Sequence, residues 1–292
     1  MMMNRKLTIS FHEDHDYFRE AVNFSAAKTE FPASLIEKDY FCTLLLDYLS
    51  SVDQDLVFKG GTCLAKIHAD FYRLSEDLDF SISMPINSTR TQRRNRVKQL
   101  KVEINQVNNA IPAIMVTQPM KGANNSSQYI AAVEYPSVVS EEPGRIKVEV
   151  GLREPLLKAT LRAKAKSILL DPVQEKRMVP EVAVTCLSLE EAMAEKCRAA
   201  LTRRQVAIRD FYDLFFARSN LGFSINRGDF IDLVRQKISM PGNDPVNMSD
   251  ERLQELIRQE PAELQPVLRP ADFSKFDLKG IFSDLHEFSQ KL

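Results

Sequence analysis

Phe58-Lys-Gly-Gly-Thr-Cys-Leu-Ala-Lys66 and, a short way on, Arg73-Leu-Ser-Glu-Asp-Leu-Asp-Phe80 are the stretches on which the fold turns. Asp55 to Lys59 reads as a short buried strand that ends on a glycine pair. Leu64, Ile67, His68 and Phe71 then fall at i, i+3, i+4 and i+7, so the spacing predicts a helix that leaves the turn at about Thr62, with His68 packed on it. Residues 77 to 83 alternate instead. Leu78, Phe80 and Ile82 point one way, and Asp77, Asp79 and Ser81 point the other, the period of a strand. Strand, glycine turn, helix and a strand with two aspartates on one face thus follow in order.

That order has a chemical meaning. Glycines let a phosphate approach the backbone closely, and a helix N-terminus offers unpaired N–H groups and a favourable dipole. Two carboxylates on alternate residues of a strand sit ~6 to 7 Å apart at the backbone, and hard oxygen ligands of this kind suit Mg²⁺ together with substrate phosphates. A nucleoside triphosphate fits between Gly60-Gly61 and the pair Asp77 and Asp79. A third carboxylate is expected where two metals clamp a phosphoryl displacement. Glu149 is the candidate, on the polar face of a strand at 145 to 150; the alternative is an exposed residue paired with Lys147 or Arg145.

Working outward, residues 34 to 50 form a helical pattern behind Ser34 as a possible cap, and 128 to 135 read as a strand. Thr89 to Lys101 reads as one strongly basic helix, and Gly122 to Ser127 as a loop. Ser188-Leu-Glu-Glu191 is a capping box that opens a long helix, after which helical patterns dominate. A boundary therefore falls near 170 to 187, with domains at 1–180 and 181–292. In the second, Leu189, Ala192, Met193, Lys196, Ala199 and Ala200 make a stripe that puts Lys196 on the apolar face, where it reaches an acidic partner, a triphosphate or water. Ile208, Phe211, Tyr212 and Phe215 make the next stripe. Asp210 beside it is a natural partner for Lys196 or Arg203.

The 292 residues carry 39 basic and 40 acidic side chains, so no global field announces nucleic acid or a membrane. Any basic surface is local, around Arg90 to Lys101 or Lys158 to Lys166. No window reaches the ~18 apolar residues of a membrane span, and Met1 to Leu7 lack a leader pattern. Cys42, Cys63, Cys186 and Cys197 are scattered without CxxC spacing and read as reduced, buried thiols of a cytoplasmic protein, with no zinc signal.

Lys59-Gly-Gly-Thr62, Arg73 to Phe80, Glu195-Lys196 and Arg209-Asp-Phe-Tyr-Asp213 together resemble the nucleotidyltransferase family of AbiEii/AbiGii toxins, and Glu37-Lys38-Asp39-Tyr40 looks like its N-terminal signature. The resemblance implies an α+β fold: a polymerase-β-like nucleotidyltransferase domain with a mixed sheet, followed by a mainly helical domain that completes the nucleotide cleft. It implies that Asp77 and Asp79 hold Mg²⁺, that Lys59, Gly60, Gly61 and Thr62 meet the nucleotide, that Lys196 contacts the triphosphate, and that Asp210 is a further essential acid. It also implies a toxin–antitoxin or phage-defence role with a cognate antitoxin, NTP as substrate and an RNA acceptor, tRNA 3′ ends first. A small-molecule or protein acceptor, and a non-catalytic nucleotide- or RNA-binding module of the same fold, are the alternatives.

Overall fold

The computed structural model describes residues 9–153 and 155–292, so the reading of Met1 to Leu7 lies outside the described residues. The chain divides into two compact units, the first ending at Leu187 and the second running Ser188–Leu292. In the first, helices α1 (His15–Thr29) and α2 (Ala33–Val52) precede strand β1 (Val57–Lys59). Helix α3 (Gly60–Cys63) leaves β1 directly and continues as a π-helical turn over Leu64–His68. Strand β2 (Leu78–Ser81), helices α4 (Arg90–Arg96) and α5 (Lys98–Asn105), and strands β3 (Met115–Ala123), β4 (Gln128–Tyr135), β5 (Gly144–Gly151), β6 (Leu161–Ala165) and β7 (Val182–Cys186) follow.

Among the described residues the strands form one seven-stranded sheet in the order β3-β4-β5-β2-β1-β7-β6. It is mixed: β2 runs parallel to β5 and β1 parallel to β7, while β1–β2, β3–β4, β4–β5 and β6–β7 are antiparallel. β1 is only three residues long, yet it lies between β2 and β7 in the middle of the sheet. Phe58 and Phe80 therefore pair across its ladder and are both buried. Helix α2 is apolar around most of its circumference because it packs on β5 and β7. Phe41 stacks on Tyr135 of β4 with ring centroids 4.0 Å apart.

Several local expectations are corrected. Pro32, not Ser34, occupies the N-cap of α2. The helix after the glycine turn ends at His68, and Phe71 has φ 58°, so it is not a continuation of that helical face. The basic segment is two helices, broken at Val97, whose φ/ψ of −95°/4° leaves the helical region. Gly122 and Ala123 belong to β3, and the turn is confined to Asn124–Ser126.

The second unit is helical: α6 (Leu189–Thr202), α7 (Ile208–Asn220), α8 (Gly228–Ser239), α9 (Asp250–Gln259), α10 (Pro270–Phe273) and α11 (Leu278–Ser289). Ser188 Oγ accepts from the Glu191 N–H and caps α6. Glu191 itself points inward, where Lys237 Nζ lies 2.7 Å from its Oε1 and 3.3 Å from Glu195 Oε1. In α7 the buried stripe is Ile208, Phe211, Tyr212 and Leu214, with Phe215 only half-buried. Arg252 donates to the carbonyls of Ala200 at 2.7 Å and Arg203 at 2.9 Å, satisfying the C-terminal end of α6. Among the described residues no helix is long and apolar enough to cross a membrane.

Candidate active site

The diglycine turn and the aspartate strand are joined by direct contacts. Gly60 has φ +76°, a conformation that side chains with a Cβ rarely adopt, and a Cβ built there would collide with Asp79 Oδ2. A Cβ on Gly61 would lie 2.5 Å from Arg73 Nη2 and 3.0 Å from Ser75 Oγ. The glycine pair is thus what allows the Asp79 carboxylate and the buried Arg73 guanidinium to close on the turn from two sides. Thr62 Oγ1 donates to the Asp77 carbonyl at 2.5 Å and ties the start of α3 to the first aspartate.

Strand pairing settles where Glu149 lies. β2 and β5 run parallel with Asp79 opposite Glu149, and register partners in neighbouring strands project from the same face. Asp77 Oδ1 accepts from the Lys147 N–H at 3.3 Å, which brings the first aspartate onto the same strand. The Lys147 ammonium then lies 3.4 Å from Glu149 Oε2 and 3.8 Å from Asp77 Oδ2. From sequence Lys147 is expected only, with Arg145, as a partner of an exposed Glu149, and Arg73 carries no role of its own.

The electrostatics follow from crowding. Burial, and next the neighbouring Glu149 charge, push the Asp79 carboxyl up from 3.8 to about 6, although Lys59 and Lys147 pull the other way. The Lys147 ammonium is desolvated, which alone would lower its pKa, but Asp77, Glu149 and Asp79 raise it on balance. A cluster of carboxylates that holds one ammonium in place and keeps one member hard to ionise is short of positive charge. Its donors are hard oxygens, the chemistry that suits a divalent cation of the Mg²⁺ kind.

The resembling N-terminal segment serves as scaffold for this site. Lys38 Nζ pairs with Glu76 Oε2 at 2.6 Å, and Cys42 Sγ reaches the Glu76 carbonyl at 3.8 Å, one residue before Asp77. Asp39 Oδ1 lies 2.6 Å from the buried Lys66 ammonium, while its Oδ2 accepts from Ser167 Oγ and the Ile168 N–H. Glu37 accepts from Ser137 Oγ and the Val138 N–H, both at 2.6 Å, and Tyr40 bonds His12. Burial pushes the Glu37 carboxyl up despite those two hydrogen bonds.

Lys196 and Asp210 lie in the second unit. Lys196 Nζ sits 2.7 Å from Asp210 Oδ1 and 2.8 Å from Asp213 Oδ2, and both carboxylates are buried. Arg203 also reaches Asp210, at 3.2 Å. Asp213 is the partner that sequence reasoning did not assign, although its place one turn after Asp210 carries the signal.

A family model described as nucleotidyl transferase AbiEii toxin, type IV TA system, matches residues 43–291. Among solved structures the chain is similar to JHP933 from Helicobacter pylori, with 18% identity, a TM-score of 0.51, and coverage of 89% of this chain and 92% of that one. It is also similar to MenT4, a nucleotidyltransferase toxin from Mycobacterium tuberculosis, with 16% identity, a TM-score of 0.43, and coverage of 94% and 97%. The likeness to JHP933 concerns the fold. The curated proteins compared with this chain include none that matches it. Because the family match spans most of the sequence, including the glycine turn, both aspartates and the helices bearing Lys196 and Asp210, this chain belongs to the AbiEii family of nucleotidyltransferase toxins.

Proposed function

We propose that this nucleotidyltransferase toxin uses Mg²⁺ and transfers a nucleoside monophosphate from an NTP to an RNA 3′ end, with tRNA as the leading acceptor. The observation that carries the reading is the register of Asp79 opposite Glu149, with Asp77 and the diglycine turn tied to the same place. Family membership implies an NTP substrate and a partner antitoxin.

In the proposed reaction the RNA 3′ oxygen bonds to the α-phosphorus, the bond from that phosphorus to the bridging oxygen breaks, and pyrophosphate leaves with the electron pair. Asp79 and Glu149 orient the attacking hydroxyl and take its proton. Asp77, Asp79 and Glu149 would hold the divalent cation, which neutralises charge developing on the transferring phosphoryl group. Lys59, Gly60, Gly61 and Thr62 line the approach of the triphosphate, and Lys196 is assigned to the triphosphate on its motif position. Asp210 then serves to orient that ammonium.

Incubating the protein with total RNA and each labelled NTP in turn, then sequencing the extended 3′ ends, tests the acceptor and the nucleotide together. Label is expected on tRNA, and Asp77→Ala or Asp79→Ala should abolish it. Transfer persisting near wild-type level in either variant would overturn the metal assignment. Label on a protein or small molecule alone would overturn the RNA acceptor.

A further inference from the structure

Cys63, His68 and Cys186 come from three places in the sequence that no motif links, yet the fold gathers them. Their two sulfurs and one imidazole nitrogen all lie within 4.8 Å of one another. Cys63 is the last residue of α3 and Cys186 the last of β7; both are fully buried, and neither is in a disulfide. Cys186 is placed by the parallel pairing of β7 with β1, where it sits opposite Phe58.

The π-helical turn brings in the imidazole. On an α-helix two residues five apart would point about 140° from each other, at about 100° per residue. The stretch Leu64–His68 instead closes i to i+5, with the Ala69 N–H donating to the Leu64 carbonyl at 2.9 Å, so positions five apart return to nearly the same side. Cys63 and His68 are five apart. Single π turns inside helices recur at functional sites because they re-aim side chains in this way.

The other imidazole nitrogen is already engaged. His68 Nε2 lies 3.0 Å from the Leu187 carbonyl, which only accepts, so Nε2 is the donor there and Nδ1 is the nitrogen left to face a ligand. A ligating histidine ordinarily shows that arrangement, its second nitrogen donating to a carbonyl or carboxylate that fixes tautomer and ring orientation. Two sulfurs and one imidazole form a soft donor set, unlike the hard oxygens of Asp77, Asp79 and Glu149.

We propose that Cys63, His68 and Cys186 form a second metal site, for a thiolate-preferring divalent ion of the zinc class, distinct from the carboxylate centre. The two thiols lose their protons on binding, and three protein ligands leave a further coordination position to water. The site would clamp the end of β7 to the helix that starts at the diglycine turn, and so stiffen the glycine turn from behind. It stands independently of the transfer reaction.

The test uses the full chain, reduced and stripped with chelator. Zn²⁺ is titrated against a chromogenic competitor, and Co²⁺ is added separately to read thiolate-to-cobalt charge-transfer absorption. One equivalent per chain, with the cobalt band, is expected. His68→Asn, at the half-buried ligand, should weaken zinc at least about tenfold while circular dichroism shows the fold intact, and Cys63→Ser should remove the cobalt band. Asp79→Asn should leave zinc affinity and the band unchanged, which separates this site from the carboxylate centre. No retained zinc, affinity unchanged in His68→Asn, or zinc lost with Asp79→Asn would each overturn the site. So would a Cys63–Cys186 disulfide under mild oxidation in a protein that takes up no metal when reduced.

Discussion

Asp79 shows how one side chain can be costly to the fold and necessary to the proposed chemistry. Its carboxyl is pushed up to about 6 from 3.8, so between those values the folded chain binds more protons than the unfolded one. The contribution of Asp79 to stability without metal is therefore most favourable below about pH 4, falls as pH rises toward 6, and levels off above it. Asp79→Asn removes the penalty. In metal-free buffer at pH 7 this variant should melt at a higher temperature than the wild type, with the gap closing by about pH 4, while transfer falls on the order of 100-fold or more. A melting temperature below that of the wild type at pH 7 would show that the carboxylate is not under strain. Gly60 is constrained twice over, by its positive φ and by the Asp79 carboxylate, so Gly60→Ala should cost roughly 1–3 kcal/mol in denaturant unfolding.

At the scale of elements, α2 is fastened through charges that its sequence pattern does not reveal. Lys66 in the π turn is fully buried, and its ammonium meets Asp39 Oδ1 at 2.6 Å, Thr43 Oγ1 at 2.8 Å and the Lys166 carbonyl at 3.3 Å. Removing the carboxylate leaves a buried cation, so Asp39→Ala should destabilise the protein by about 3–5 kcal/mol in chemical denaturation, with transfer lost through unfolding rather than chemistry. The basic helices α4 and α5 divide by role. Arg96 forks onto Asp53 at 2.9 and 3.1 Å and reaches Asp55, which makes it structural. Arg90, Arg94, Lys98 and Lys101 are exposed. Replacing these four by Glu should lower RNA transfer and flatten its salt dependence, while NTP binding stays unchanged; equal loss in both would remove α4–α5 from the RNA surface.

At the scale of the whole molecule, what the sequence makes legible is local and what it hides is pairing. Leu78, Asp79 and Phe80 declare a strand by alternation, and β4 and β5 are readable for the same reason. β3 is irregular: register shifts between Val116 and Gln118 and between Gln118 and Lys121 break the period. β6 and β7 are short edge and near-edge strands flanked by loops, with too few turns of pattern to register. The position of Glu149 beside Asp79, and of Cys186 beside Cys63, depends on parallel ladders between segments far apart in sequence, which no spacing encodes. A resident divalent cation would act on the entire fold. At 100 times its dissociation constant, Mg²⁺ should raise the unfolding free energy of the wild type by about 2.7 kcal/mol and that of Asp79→Asn by much less, read by thermal melts with and without chelator. Equal shifts in the two proteins would place the ion elsewhere.

The parallel ladder between β2 and β5 also sets a timetable for synthesis. Asp79 leaves the ribosome well before its ladder partner Glu149, and β1 waits longer still for β7, which closes its other edge. Translation at ~5–20 residues per second therefore separates the first aspartate from the completed carboxylate set by several seconds, and non-local pairing adds to that delay. A truncated nascent chain that carries the glycine turn and both aspartates but stops before residue 149 lacks the strand position that pairs with Asp79, so under the proposed assignment it should transfer no nucleotide.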